Sequence, residues 1–311
     1  MSTRRDAVTG PFGFTGRVIA SQLLDAGREV VTLARRVDLT DPIAPRLAIH
    51  PLDFSAPDRL AEALAGVDTL YNTYWIRFPR GAATFERAVE QSATLFAVAK
   101  EAGVRRLVQV SVVRADPNGD TPYVRAKGEM ERRLKASGLE WSIVRPTVVF
   151  GPDDSLINNL AWALRRLPVN GIPGRGRYPI QPVHVDDVSS ICLEAADGPA
   201  GLTVDAAGPE TMPYQEMVQL VRRAVRSHAL IVPMPIWAVV VAARVIGAIV
   251  RDVVLTRDEL RQLTEGQLTS PAPALGRIPF SRWVADSAPD LGRRWASELA
   301  RNYSLAPPPG P

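Results

Sequence analysis

Tyr123 and Lys127 stand four residues apart in a segment, 121–134, whose pattern predicts a helix, so the two side chains share one helical face. An ammonium beside a phenol favours the phenolate, which lowers a reference pKa of ~10 and lets the tyrosine exchange a proton near neutral pH. Ser111 falls at the end of a predicted strand, 107–113, where its hydroxyl can hold a substrate oxygen. The three together could run acid–base chemistry at a carbon–oxygen bond. The alternative is a chance Tyr/Lys spacing on a helix surface. Lysine is confined to positions 100, 127 and 135, the rest of the 37 basic residues being arginine. Arginine cannot tune a tyrosine in the same compact way, so a lysine at 127 favours function.

Those residues need a scaffold, and the N-terminal segment supplies its first piece. Val8-Thr9-Gly10-Pro11-Phe12-Gly13-Phe14-Thr15-Gly16 follows a short predicted strand, 7–8, and runs into a helix with Val18, Ile19, Leu23 and Leu24 on its apolar side. The glycines allow positive φ and a close backbone approach to a pyrophosphate, and the helix N-terminus adds unpaired N–H donors. The alternative is an ordinary loop; the strand-turn-helix context favours a dinucleotide cradle over residues 9–16. Further strands are predicted at 29–34, 47–50, 68–72, 107–113 and 142–144, with helices at 57–65 and 83–102 between them. This alternation predicts an α/β class, a Rossmann-type doubly wound parallel sheet, with a smaller C-terminal lobe.

The end of the second strand bears on which dinucleotide is bound. An NAD site usually places an acid there, ~20 residues past the glycines; this chain has Arg35 and Arg36, which suit a 2′-phosphate. NADP(H) is therefore favoured over NAD(H), the alternative being two solvated arginines with Asp38 close by. Asp53 and Phe54 are placed either at the adenine edge or in a helix-entry turn before Pro57. Asn72 and Thr73 end the fourth strand at its carboxyl edge, where ligands bind. Tyr74 and Trp75 follow, as an apolar wall for a hydrophobic substrate or as packing beneath the loop. Lys127 can also bond the nicotinamide ribose.

Thr9-Gly10-x-x-Gly13-x-x-Gly16, Ser111, Tyr123-x-x-x-Lys127 and residues 145–152 (Arg145-Pro146-Thr147-Val148-Val149-Phe150-Gly151-Pro152) together resemble the short-chain dehydrogenase/reductase superfamily, on its extended or atypical branch. The chain is similar there to nucleoside-diphosphate-sugar epimerase-like proteins and to the nucleotide-binding accessory subunit of respiratory complex I. The resemblance covers roughly residues 5–300. It implies an NAD(P) site, with Pro146 beside the cofactor and Ser111, Tyr123 and Lys127 in the catalytic positions. It also implies a basic glycine loop, 171–178, whose Arg175 and Arg177 would meet a substrate diphosphate; a solvated loop is the alternative. The loop at 72–75 is bulkier than the small-residue turn of active members. A catalytically silent, nucleotide-binding or redox-sensing protein is the competing expectation.

Composition narrows the classes. A formal charge of +4 without a basic block excludes a nucleic-acid footprint, and one cysteine, Cys192, with three scattered histidines argues against a metal centre. The expected division is 1–150 for the cofactor domain, with about 180–207 returning to it, and 151–311 for a mostly helical substrate lobe. Asp186 reads as a helix N-cap and His184 as a packed residue. Residues 236–250 are the most apolar stretch, short of the ~20 needed for a span and interrupted by Arg244. A packed helix is the first expectation there; a peripheral membrane contact or a homo-oligomer face is the other. A last helix is expected at 289–301. With a strand starting about six residues from the N-terminus, a signal or transit peptide is not expected, and the compartment predicted is the cytoplasm.

Overall fold

Aliphatic runs with no polar alternation form strands covered on both faces, and the chain builds its first half from them. In the computed structural model, which describes residues 4–303, two compact units are present: 4–146 with 188–205, and 147–187 with 206–303. The first unit begins β1 (Arg5–Thr9), α1 (Phe14–Asp25), β2 (Glu29–Ala34), β3 (Ala48–Pro51), α2 (Pro57–Leu64) and β4 (Thr69–Asn72). It continues α3 (Phe85–Glu101), β5 (Arg106–Val110), α4 (Pro122–Lys135) and β6 (Glu140–Pro146). The chain then runs through β7 (Val148–Phe150), α5 (Ser155–Arg166), β8 (Val169–Pro173), β9 (Pro179–Ile180) and β10 (Pro182–His184) of the second unit. Helix α6 (Val185–Asp197) carries it back to β11 (Leu202–Ala206), before β12 (Met212–Pro213), α7 (Tyr214–Ala224), β13 (Leu230–Met234), α8 (Ile236–Val250), α9 (Arg257–Thr264), α10 (Phe280–Ser287) and α11 (Glu298–Tyr303).

The central sheet has seven strands in the order β11-β6-β5-β4-β1-β2-β3. Strand β1 pairs in parallel with β2 and with β4, Val8 lying opposite Thr32 on one side and Tyr71 on the other. The chain winds outward from β1 to β3, then restarts beside β1 at β4 and winds the other way. That reversal opens a crevice at the carboxyl ends of β1 and β4, where open α/β sheets bind ligands. Val31, Leu33, Leu70, Leu107 and Ile143 are fully buried in the sheet core. The returning α6 is fastened by Arg106, whose Nη1 donates to the carbonyls of Ala195 (3.3 Å) and Ala196 (3.0 Å) near the helix end, and by Ser142 Oγ donating to Ala195 O at 2.8 Å. A buried guanidinium is tolerated there because the helix C-terminus presents unpaired carbonyls.

In the second unit, β7 pairs in parallel with β10, β8 with β13, and β12 runs antiparallel to β9. Phe150, Ile157, Val218 and Phe280 are buried in its core. Three expectations are corrected there. Helix α6 opens at Val185, so Asp186 lies in its first turn and does not cap it. The single helix expected at 289–301 gives way to a turn, because Gly292 adopts φ 73° and passes so close that a Cβ would sit 2.5 Å from Ala161 C. Helix α8 forms at the expected residues, but among them only Gly247 is buried, so it is not a packed core helix.

Helix α4 is set against the 116–117 loop at Gly128, where a Cβ would lie 2.2 Å from both Asp116 C and Pro117 N. Neither backbone atom can give way as a side chain would. Gly128→Ala is therefore expected to lower the unfolding free energy by about 3 kcal/mol or more, read by urea denaturation. An unchanged midpoint would show that the helix can retreat from the loop at no cost.

Candidate active site and cofactor cradle

The turn after β1 is shaped for a ligand backbone to approach. Gly10 holds φ 65°, Gly13 N donates to Gly10 O at 2.9 Å, and a Cβ on Gly16 would fall 2.2 Å from Gly10 O. Helix α1 starts immediately beyond, with no side chain capping it and no acid in its first turn. Its N-terminal N–H groups and partial positive charge suit a pyrophosphate, so the residues present fit the dinucleotide. Pro11 is buried, and Phe12, Phe14 and Thr15 are half-buried along the turn. The turn is tied to the end of β4 by the Thr9 hydroxyl, which donates to Asn72 Oδ1 (2.8 Å) and accepts from Thr73 N (2.8 Å) and Tyr74 N (3.0 Å). Thr73 Oγ1 donates back to Thr9 O at 2.6 Å, and Asn72 Nδ2 donates to Gln109 Oε1 at 2.7 Å. Asn72 and Thr73 therefore carry the turn's hydrogen bonds from below.

Ser111 directly follows β5, and Tyr123 and Lys127 lie on α4 of this same unit. Strand β5 stops at Val110, one residue short of Ser111, yet Ser111 N still donates to Val144 O at 2.8 Å and keeps the register. Helix α4 begins at Pro122 because Thr121 is an extended N-cap whose hydroxyl accepts from Val124 N at 3.3 Å, and proline suits the first helical position. Tyr123 is half-exposed, its ring edge-on to Phe85 at 5.7 Å and to Trp75 at 6.2 Å. Lys127 is buried at 3% exposure; its Nζ donates to Val110 O at 3.3 Å and stands 4.3 Å from the centre of the Trp75 ring. Burial pushes the Lys127 ammonium down to about 7, against the opposing pull of Glu131.

Glu131, one turn beyond Lys127, is a site residue the sequence reading passed over. It is 2% exposed and accepts from Ser111 Oγ at 2.6 Å, while Arg145 Nε donates to the same carboxylate at 2.9 Å and Arg145 Nη2 to its other oxygen. The Arg145 guanidinium is pushed up by this hydrogen bonding. An acid four residues after Lys127, on the same predicted helical face, was the available signal. With its hydrogen engaged by Glu131, Ser111 Oγ presents lone pairs to a ligand; it must leave Glu131 to donate to a carbonyl.

The residues expected at the adenosine end follow β2, β3 and β4. Arg35 is exposed, its guanidinium 5.2 Å from the centre of the Tyr74 ring, and Arg36 is half-exposed. Asp38 is committed to Thr40, accepting from its N at 2.9 Å and its Oγ1 at 2.5 Å, contacts that hold its carboxyl below the usual range. Arg17 on α1 reaches the loop after β2, its Nε donating to Asp41 at 2.6 Å. Asp53 makes a tight turn, accepting from Ser55 N and Oγ at 2.9 and 2.6 Å, and Phe54 packs 5.0 Å from Tyr74. Tyr74 itself is 5% exposed, its hydroxyl donating to Gln91, so its ring is packing beneath the loop and not a ligand wall. Trp75 is half-buried, stacked 6.3 Å from Phe85, with its indole N–H buried and unpartnered among the described residues.

Pro146 is buried at the end of β6, its carbonyl accepting from Val113 N at 2.9 Å. In the second unit, Arg175 and Arg177 are exposed on the loop between β8 and β9, which Gln215 N fastens by donating to Gly176 O at 2.9 Å. His184 is packed edge-on to Phe150 at 5.1 Å, and its Nδ1 accepts from Asp186 N at 3.2 Å; burial lowers its pKa.

The Lys127 environment has a consequence for stability. Its folded-state pKa is depressed, so between about pH 7 and the unfolded value of ~10.4 the unfolded chain binds more protons, and stability rises with pH across that window. Lys127→Met should therefore be more stable than the parent near pH 7, with the gap shrinking toward pH 10, as read by urea denaturation of the ligand-free protein at both pH values. A gap independent of pH would mean that the ammonium is solvated.

Residues 10–158 match the NAD(P)H-binding family model. The chain is 26% identical over 273 residues to the mitochondrial 40 kDa subunit of NADH-ubiquinone oxidoreductase of Neurospora crassa, covering 85% of this chain and 72% of that one. It is 27% identical over 220 residues to the (4-alkanoyl-5-oxo-2,5-dihydrofuran-3-yl)methyl phosphate reductase of Streptomyces griseus, covering 70% of this chain and 72% of the reductase. Among solved structures it resembles the Citrobacter sp. triphenylmethane reductase complexed with NADP(H), with a TM-score of 0.72 and 16% identity over 92% of this chain and 99% of that one. Over residues 10–158 the chain is thus similar to the NAD(P)H-binding family, and it shares the fold of the triphenylmethane reductase.

Proposed function

We propose that this protein is an NAD(P)-dependent oxidoreductase acting at a carbonyl or carbinol carbon, with NADP(H) preferred. The observation that carries the reading is the arrangement of Tyr123 and Lys127 on α4 with Ser111 at the end of β5, in the unit whose glycine turn fits a pyrophosphate. When bound, the nicotinamide supplies or accepts a hydride at the substrate carbon. Tyr123 exchanges the proton with the substrate oxygen. Ser111 Oγ accepts a hydrogen bond from a carbinol hydroxyl, its own hydrogen being held by Glu131. Lys127 bonds the cofactor ribose and, when protonated, lowers the cost of the Tyr123 phenolate. Trp75 excludes water beside them and favours an apolar substrate.

A second reading is a nucleotide-binding protein without turnover. It is favoured by the aromatic packing of Trp75 against Lys127, Tyr123 and Phe85, and by the likeness to a complex I subunit. Tyr123→Phe separates the two. Turnover of a carbonyl panel with NADPH should fall by about 10²–10⁴-fold while cofactor affinity stays intact; unchanged turnover would remove Tyr123 from the chemistry, and no turnover in the parent with intact binding would favour the silent reading.

The cofactor preference has its own test. Replacing Arg35 and Arg36 together by serine should weaken NADPH binding about tenfold or more and leave NADH unchanged, by fluorescence titration. Equal losses for both nucleotides would mean that these arginines do not read the 2′-phosphate.

A further inference from the structure

Helix α8 presents a large apolar face to solvent. Trp237 is 71% exposed, Val241 50%, Val245 56% and Ile249 73%, positions repeating every four residues along one side of the helix, and Ile236 adds 51% at its start. The strand leading into it continues the patch: in β13 Leu230 is 63% and Val232 38% exposed, and in its partner β8 Val169 is 45% exposed. Soluble monomers rarely leave so many large aliphatic and aromatic side chains together, and such a surface marks an interaction site. Among the described residues no helix is long and apolar enough to cross a membrane, so a lipid partner would be met on its surface.

The charges around the patch select its occupant. From Arg226 to Thr256 the basic side chains are Arg226, Arg244 and Arg251, all exposed. The lone acid in that stretch is Asp252, and its carboxylate is turned inward, accepting from Trp295 Nε1 at 2.9 Å and from Glu298 N at 2.9 Å and Leu299 N at 3.1 Å. Arg244 stands on the exposed side among the apolar residues, where a long stem can lie along hydrocarbon with its guanidinium at a polar boundary. A second copy meeting this face by two-fold symmetry would bring the arginine-bearing patch onto itself, with no exposed carboxylate of the segment to pair it. An anionic boundary over an apolar layer fits both features, as does the net formal charge of +4.

We propose that α8 and the adjoining β13 edge form a peripheral docking surface for anionic lipid bilayers. The helix lies in the interface plane, with Trp237, Val241, Val245 and Ile249 in the acyl boundary and Arg244 and Arg251 among the headgroups. This reading does not depend on whether Tyr123 is catalytic.

The test is flotation of the full-length protein with vesicles of equimolar phosphatidylcholine and phosphatidylglycerol, beside vesicles of phosphatidylcholine alone. The protein should float with the mixed vesicles and be released by high salt. The triple variant Trp237→Ser, Val241→Ser, Ile249→Ser should lose about tenfold or more of that binding, and Arg244→Ser with Arg251→Ser should lose the preference for the anionic mixture. Circular dichroism melts and NADPH titration of the variants should match the parent, because the replaced side chains are exposed. Absence of flotation, equal flotation with both vesicles, or unchanged binding of the triple variant would each overturn the proposal. So would a concentration-dependent dimer in sedimentation equilibrium that the same three substitutions disperse, since the face would then be a self-interface.

Discussion

The closest approach in the cofactor cradle is between Gly16 at the start of α1 and the carbonyl of Gly10, where a Cβ would intrude to 2.2 Å. That contact folds the turn tightly enough to bring the N-terminus of α1 to the carboxyl end of β1. The Thr9 hydroxyl then joins it to Asn72, Thr73 and Tyr74, so the loops after β1 and β4 are held together. The same bonds fix where Tyr74 and Trp75 begin. Trp75 in turn lies against Lys127 and Tyr123, and the shape of the candidate site follows from a turn that only glycine permits.

Charge burial is distributed unevenly around that site. Glu131 is buried with a two-pronged arginine and a serine hydroxyl, the arrangement in which a carboxylate tolerates loss of water. Lys127 is buried with a backbone carbonyl and an aromatic face, neither of which replaces the hydration of an ammonium. The result is one acid kept fully partnered and one base left easy to deprotonate, about 7, a single turn apart on α4. Such an imbalance suits a group whose remaining partners arrive with a ligand. Trp75 shows the same incompleteness, its indole N–H shielded from water without an acceptor among the described residues.

The second unit divides its apolar residues between two tasks. Phe150 meets Phe280 and His184 edge to face, Trp283 lies tilted against both Phe150 and His184, and the cluster gives the unit an aromatic core. Helix α8 is more apolar than any of the core helices, yet it spends that character on its outer side. Hydrophobicity alone therefore does not place a segment inside; which face the neighbouring strands cover does.

Much of this protein is legible in its residues. The alternation of aliphatic runs with amphipathic stretches determines the parallel sheet, because strands covered on both faces need no polar alternation. The glycine spacing determines the turn, because φ near 65° at Gly10 excludes most side chains. Tyr123 and Lys127 share a face by helical geometry alone. The tertiary structure decided what local pattern cannot encode. Tyr74 and Trp75 are adjacent, yet one sinks beneath Arg35 and the other stands beside Lys127, since successive side chains diverge and only the packed neighbours assign each its place. Glu131 became part of the site through partners 14 and 20 residues away. The outer face of α8 stayed exposed for the complementary reason: burial depends on what lies opposite in space, and no spacing within 236–250 records that the partner surface stops short.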